Sequence, residues 1–325
     1  MRTFDYVRAA STAQALSPQS LSRSFLAGGT TLLDLVKLNV MRPALLTDIN
    51  SLPLQAVEVI PDGRLRVGAL VTNTQLAQHP VVKASYPVLS QAILAGASTQ
   101  LRNKATTGGN IMQRVRCNYF RDGISACNKR QPGSGCAAIE GHNRSVHAVL
   151  GTSDHCIATH PSDMCVAMLA IGATVTVVGP NGVREIPFEN FHLLPGDTPW
   201  QEHSLDKDEL ITHVTLAAPL TGARSHYIKL RDRHSYQFAL ASSAVIVMME
   251  GPLISQARIA LGGVATKPWR AKEAEQALIG KPVNIEVFTY AARLAFESAK
   301  AFSQNGYKIP LGQQAIIRSL REALV

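Results

Sequence analysis

The chain has 325 residues, 46% of them hydrophobic, which is enough for a large core and excludes a disordered or fibrous protein. Its formal charge is +9, yet it has no run of five basic residues and no zinc-finger, RRM or KH signature, which argues against nucleic acid and for an anionic cofactor or acidic partner subunit. It lacks a stretch of eighteen apolar residues, and the start, MRTFDYVRAASTAQALS, lacks an apolar h-region, so neither membrane insertion nor a signal peptide is expected. In chain order, Ser24-Phe25-Leu26 reads as a short strand, AGGTT as a turn, LLDLVKLNV as a helix and ALLTDI after Pro43 as a second strand, a βαβ-like pattern. Between Leu65 and Gly179 follow a strand and turn (RLRVGALVTN), a helix (VLSQAILAGAS), a cysteine-bearing loop, a helix from about Ser162 and the strand ATVTVVG. The polar stretch GDTPWQEHSLDKDE reads as a surface loop or linker. From about Ile211 the strands THVTLAAPL, HYIKLRDR, FALASSAVIVMME and ARIALGGV precede the helices AKEAEQALIG, VFTYAARLAFESAKAF and QQAIIRSLREAL, an α+β pattern.

Two glycine pairs carry the first chemical signal. Phe25-Leu-Ala-Gly-Gly-Thr-Thr31 leads from a strand into an amphipathic helix, where backbone N–H groups are free to converge on a pyrophosphate. It is not a GxGxxG fingerprint, and a simple tight turn is the competing reading. A second pair, Ala105-Thr-Thr-Gly-Gly-Asn110, is again flanked by hydroxyls.

The cysteines carry the second. Five cysteines in a chain without an export signal favour free thiols or metal ligands over a disulfide framework. Cys117, Cys127, Cys136 and Cys156 have nine, eight and nineteen residues between them, which fits neither zinc ribbons nor compact ferredoxin motifs. The first three lie in a Gly/Pro/Asn-rich loop where core cysteines are out of place, which points to a shared metal or cluster. Arg114, Arg116, Arg121, Lys129 and Arg130 stand nearby to offset its negative charge, or are ordinary solvated loop charges. Cys165, on the apolar helix after an N-cap at Ser162 or Asp163, reads as a small buried hydrophobe. Histidines 142, 147, 155 and 160 fit no ligand spacing and are left out of the ligand set.

The motifs FLAGGTTLLDLVKLN, QLRNKATTGGNI, HPSDMCVAMLAIGA, KLRDRHSYQFALAS and ALGGVATKPWR, in this order over nearly the whole chain, resemble the FAD-binding medium subunits of molybdenum hydroxylases, the family of xanthine dehydrogenase, carbon monoxide dehydrogenase and aldehyde oxidoreductase. The cysteine segments RCNYF, ACNKR, GSGCA and DHCIATHPSD are most similar to the bacterial periplasmic aldehyde oxidoreductase branch, in which such cysteines hold a 4Fe-4S cluster; the flavin subunit of 4-hydroxybenzoyl-CoA reductase has a related loop. The resemblance implies an α+β fold with two FAD-binding subdomains, residues 1–55 and 56–215, the second bearing the cysteine loop at about 114–158, followed by an α+β C-terminal domain, 216–325. It implies that Leu26, Ala27, Gly28, Gly29, Thr30, Thr31, Leu32, Leu33 and Asp34 wrap the FAD pyrophosphate and that Thr106, Gly109 and Asn110 extend the site. It also implies that Asp163 reaches the ribityl or adenosine part, that Lys229 faces the flavin, and that Cys117, Cys127, Cys136 and Cys156 ligate the cluster. No residue of this chain is assigned a catalytic role. Substrate oxidation, aldehyde to carboxylic acid, is expected at a molybdenum cofactor in a large partner subunit. Electrons would cross two 2Fe-2S clusters of a small subunit to the FAD of this chain, in a heterotrimer. No NAD site is identified, so the acceptor stays open. By resemblance the assembly is periplasmic, co-exported with a partner that carries the signal, and cytoplasmic if that partner has none. The competing classes are a flavin subunit of a related hydroxylase or reductase, a stand-alone flavin oxidoreductase, and a zinc-stapled binding module.

Overall fold

A computed structural model describes residues 2–18, 22–206 and 208–324. The first sheet is parallel, with β1 (Asp5–Arg8), β2 (Arg23–Leu26) and β3 (Leu45–Asp48) in the order β1-β3-β2. Parallel strands need a crossover, and the Leu32–Lys37 helix supplies it between β2 and β3, as the sequence pattern indicates. Asp34 in its first turn and Lys37 in its last complement the helix dipole, while Leu35 and Val36 face inward.

The second sheet is antiparallel: β4 (Val57–Val59), β5 (Leu65–Gly68), β6 (Thr174–Gly179), β7 (Gly182–Pro187) and β8 (Leu210–Leu216), ordered β4-β5-β8-β6-β7. Strand β8 is the stretch THVTLAAPL, which chain order groups with the later strands. It stands instead in the middle of this sheet, with Leu216 opposite Leu65 on one side and Val214 opposite Val175 on the other. Between β5 and β6 the chain makes a long excursion that ends in the Asp163–Ile171 helix. All nine residues of that helix are buried, so its apolar character all round marks a central core helix. Ser162 caps it, its Oγ accepting the Cys165 N–H at 3.1 Å, and Gly172 ends it at φ +84. Cys165 is 0% exposed, a core residue as its surroundings suggest.

The third sheet is an antiparallel meander of β9 (Arg224–Leu230), β10 (Ala241–Glu250), β11 (Leu253–Gly262) and β12 (Trp269–Arg270). The Lys308–Leu324 helix and the Asp163–Ile171 helix both pack on β10, which explains its continuous rather than alternating apolar run. The helix expected over VFTYAARLAFESAKAF is shorter, Ile285–Leu294. Beyond it the chain is captured by tertiary bonds: Lys300 N–H donates to Val149 O (2.8 Å) and Asn305 Nδ2 to Ala148 O (2.9 Å).

Candidate functional site

A cleft of about 610 Å³ opens where the first glycine loop meets the 106–115 and 192–211 segments. Two sequence-distant loops form one wall because glycine lets them touch. A Cβ on Gly28 would lie 2.0 Å from the Lys104 carbonyl oxygen, and Gly29 has φ +74. The second loop is set by Thr106, which faces Thr72 in an isolated bridge and whose Oγ1 accepts the Gly109 N–H at 3.2 Å. Among the described residues, no protein acceptor takes the backbone N–H groups from Gly28 to Leu32. A row of free amide donors in a cleft of this size is a receptor for an anionic group of a larger ligand.

The polar stretch expected at the surface, residues 196–209, supplies much of the opposite wall, including Trp200, Glu202 and Leu205. Lys207 of that stretch lies outside the described residues. Glu202 pairs with Arg114 and, at 3.2 Å, with Lys129. Burial raises its pKa, but the two cations outweigh burial and hold it below the usual carboxylate range. Lys129 also donates to Pro199 O at 2.8 Å, fastening this stretch to the cysteine region. His160 and His192, both lining the cleft, are kept neutral by burial, His192 down to about 4. Their ligand atoms and the Cys165 thiol lie within 4.8 Å of one another. Ser162 N–H donates to His160 Nδ1 at 3.4 Å, and His160 Nε2 is buried with no partner among the described residues.

The four other cysteines gather in a small nest with Val115, Phe120 and Ala138. Cys127 and Cys136 face each other in an antiparallel bridge, closed by Asn128 N–H to Gly135 O (2.7 Å) and Ala137 N–H to Ala126 O (3.0 Å). Cys156 arrives on a second hairpin, closed by Ala148 N–H to Ile157 O (2.7 Å), and Cys117 opens the Asn118–Arg121 helix. All four thiols are free. Burial pushes Cys117 up to about 12 and Cys156 to about 11, and raises Cys136 as well; the neighbouring thiols act in the same direction. Backbone N–H groups oppose this: Tyr119 and Phe120 donate toward Cys117, Ala138, Ile139 and Ile157 toward Cys136, and Ala158 toward Cys156. Four sulfurs around one nest and met by amide donors suit a cationic centre that draws them into the thiolate form. No three of these sulfurs come within 4.8 Å of one another. A single tetrahedral zinc, with Zn–S near 2.3 Å, needs sulfurs about 3.8 Å apart. The wider spread suits a polynuclear iron-sulfur core.

Comparison with known proteins bears on the cleft. The family described as the FAD binding domain in molybdopterin dehydrogenase matches residues 2–219, and the CO dehydrogenase flavoprotein C-terminal domain matches residues 226–323. The chain belongs to the FAD-binding medium subunits of the molybdenum hydroxylases. It is 48% identical over 326 residues to the aldehyde oxidoreductase FAD-binding subunit PaoB of Escherichia coli (strain K12), covering 99% of each chain. It is 27% identical over 303 residues to the carbon monoxide dehydrogenase medium chain of Hydrogenophaga pseudoflava, covering 92% of this chain and 88% of that one. A solved carbon monoxide dehydrogenase structure from the same organism superposes with a TM-score of 0.77 at 26% identity, over 99% of this chain and 97% of that chain. The α+β fold implied by the motifs is therefore the fold observed.

Within this medium subunit, Ala27, Gly28, Gly29, Thr30, Thr31, Leu32, Thr106 and Gly109 line the cleft; Leu26, Leu33, Asp34, Asn110, Asp163 and Lys229 do not. Leu26 and Leu33 pack beneath the Gly29 turn. Asp34 bridges Arg116 (3.2 Å) and Arg121 (2.9 Å), joining the glycine-loop helix to the cysteine loop. Asn110 Oδ1 accepts the Ser162 hydroxyl at 2.6 Å. Asp163 is buried, accepting from Tyr227 OH (2.5 Å) and Lys229 Nζ (2.8 Å), and Lys229 donates also to Ala95 O (3.2 Å). With its side chain 3% exposed, Lys229 clamps the core helix to the third sheet rather than standing at a strand end in solvent. Several of the basic residues expected to offset a cluster are committed to carboxylates: Arg114 and Lys129 to Glu202, Arg116 and Arg121 to Asp34. The flavoprotein cleft residues that sequence reading passes over are His192, Trp200 and Glu202. A tryptophan and a carboxylate inside an otherwise polar loop were the available signal. Lys129 and Cys156 line both the cleft and the cysteine nest, so the two features share a wall.

Proposed function

We propose that this chain is the electron-transfer subunit of a heterotrimeric, molybdenum-dependent aldehyde oxidoreductase that converts aldehydes to carboxylic acids. The 48% identity to an aldehyde oxidoreductase FAD-binding subunit over 99% of the chain carries this reading. FAD, when bound, is a carrier that accepts electrons from partner clusters and releases them to an acceptor. The chain's own residues bind and orient it. The free N–H groups of Gly28 to Leu32 suit the pyrophosphate, Thr106 shapes the second glycine loop by accepting from Gly109 N–H, and the 196–209 stretch covers the opposite side. The Glu202, Arg114 and Lys129 group fixes that cover, and the neutral His160 and His192 add polar contacts without charge.

Cys117, Cys127, Cys136 and Cys156 hold a 4Fe-4S cluster in this proposal. Amide donors toward three of the four sulfurs, and a spacing too wide for one zinc, support it. The partners are a large molybdenum-cofactor subunit and a small subunit with two 2Fe-2S clusters, and the complex is placed in the periplasm through a signal on a partner. The test is the co-purified complex: a flavin spectrum, iron and acid-labile sulfide beyond the partner's two clusters, and aldehyde oxidation by the complex but not by this chain alone. Zinc with no excess iron would replace the cluster with a structural staple, and absence of flavin would remove the reading altogether.

A further inference from the structure

His147 differs from the histidines around it. It is 3% exposed, pairs with Ala158 in the hairpin that carries Cys156, and places Nε2 3.3 Å from Cys117 Sγ. Its Nδ1 is buried and has no partner among the described residues. The position of the ring proton follows. A buried N–H without an acceptor is a rarer and costlier orphan than a bare lone pair, so the proton belongs on Nε2, facing the sulfur. The ring is held by its setting: Asn305 Nδ2 donates to Ala148 O at 2.9 Å, and Lys308 Nζ to Ser145 O at 2.6 Å, on either side of it in sequence.

Resting on the assignment of the four cysteines as cluster ligands, we infer that His147 is a positioning residue whose Nε2–H donates a hydrogen bond to the Cys117 thiolate and raises the reduction potential of the cluster. Adding one electron to an iron-sulfur core increases the negative charge shared by its sulfurs. A donor aimed at one sulfur stabilises the reduced form more than the oxidised one. The amide donors around the nest belong to the backbone and survive any side-chain change. His147 is a side-chain donor, removable by substitution.

The experiment uses the whole complex and a dithionite titration followed by electron paramagnetic resonance of the 4Fe-4S signal. His147→Leu is expected to lower the midpoint potential, and His147→Gln, which keeps an N–H donor, to restore most of the difference at equal iron per flavin. In the wild-type complex with 15N-labelled histidine, pulsed resonance on the reduced cluster is expected to show a nitrogen coupling that His147→Gln removes. If the wild type holds no iron beyond the partner's clusters, the ligand assignment fails and the inference with it. If the cluster is present but His147→Leu titrates at the wild-type potential, or the 15N coupling is missing, the His147 inference is overturned while the cluster assignment stands. Should His147→Leu not assemble its cluster, the 15N result on the wild type decides the matter.

Discussion

Gly28→Ala is a one-methyl change with a large expected effect on flavin binding. The added Cβ would lie 2.0 Å from Lys104 O, 2.9 Å from Lys104 C and 3.2 Å from Ala105 Cα, all backbone atoms that cannot rotate away. Restoring ordinary contact with the carbonyl oxygen requires the two loops to part by roughly 1 Å, and overpacking of this kind costs about 1–3 kcal/mol. The empty cleft can relax by letting the loops separate, whereas a ligand gripping both must bring them back. That cost therefore falls on binding, a loss of about 5- to 150-fold in FAD affinity. The assay is titration of FAD into flavin-free complex, together with the flavin-to-protein ratio as purified. Gly222→Ala is the control: its Cβ would meet nothing within 4 Å and its φ of +80 gives about 1 kcal/mol of backbone strain with no loss of flavin. Parent-like FAD affinity in Gly28→Ala would refute the close approach of the two loops as the basis of the cradle.

Gly29→Val, forcing a β-branched residue to φ +74, is expected to abolish FAD retention and leave iron content near normal; joint loss of both would mean misfolding. Serine at Cys117, Cys127, Cys136 or Cys156 should each lower iron per complex, whereas Cys165→Ala keeps full iron and costs on the order of 1 kcal/mol in urea unfolding; iron loss in Cys165→Ala contradicts the ligand set. Asp163→Ala leaves Lys229 buried without its carboxylate and should destabilise the flavin-free chain by about 3–5 kcal/mol, so an unchanged flavin-free melting temperature would disprove the clamp. Burial lowers Lys308 to about 7, below its unfolded value, so the unfolded chain binds the extra proton between pH 7 and about 10.4. Stability from this group therefore rises with pH across that window, by at most about 1.4 kcal/mol per pH unit, and is least below pH 7. Lys308→Met should flatten that rise and lose the bonds to Ser145 O and Gly263 O; equal slopes in urea midpoints at pH 7 and 9 would count against it.

Local signals were legible where local physics decides. The strand, glycine turn and amphipathic helix at 24–37 announce a crossover because parallel pairing requires one, and Ser162 announces the helix it caps. The gathering of Cys127 and Cys136 follows from a glycine-rich turn that sequence alone marks as a loop. Tertiary partners decide the rest. Strand β8 pairs with β6 and, from nearly 150 residues away in sequence, with β5, which no periodicity encodes. Residues 196–209 look solvated because they are polar, and they line a cleft because Arg114 and Lys129 wait there to pair with Glu202. Asp163 and Lys229 are cofactor contacts by resemblance, while their geometry shows an interior ion pair, a role that composition cannot separate from a binding one.

Most of the cleft lining comes from residues 22–32, 106–115 and 192–211, with Lys129, Cys156 and His160 among the rest and Thr266 last in the chain. During synthesis, a ribosome that has released the first glycine loop has made only part of the cradle; Lys104, the other side of the Gly28 contact, follows seventy-six residues later, and the cover follows later still. Cofactor capture therefore waits until the 192–211 segment has been made. An amino-terminal fragment ending before the 192–211 segment would emerge with its glycine turns in place and nothing to close over a nucleotide.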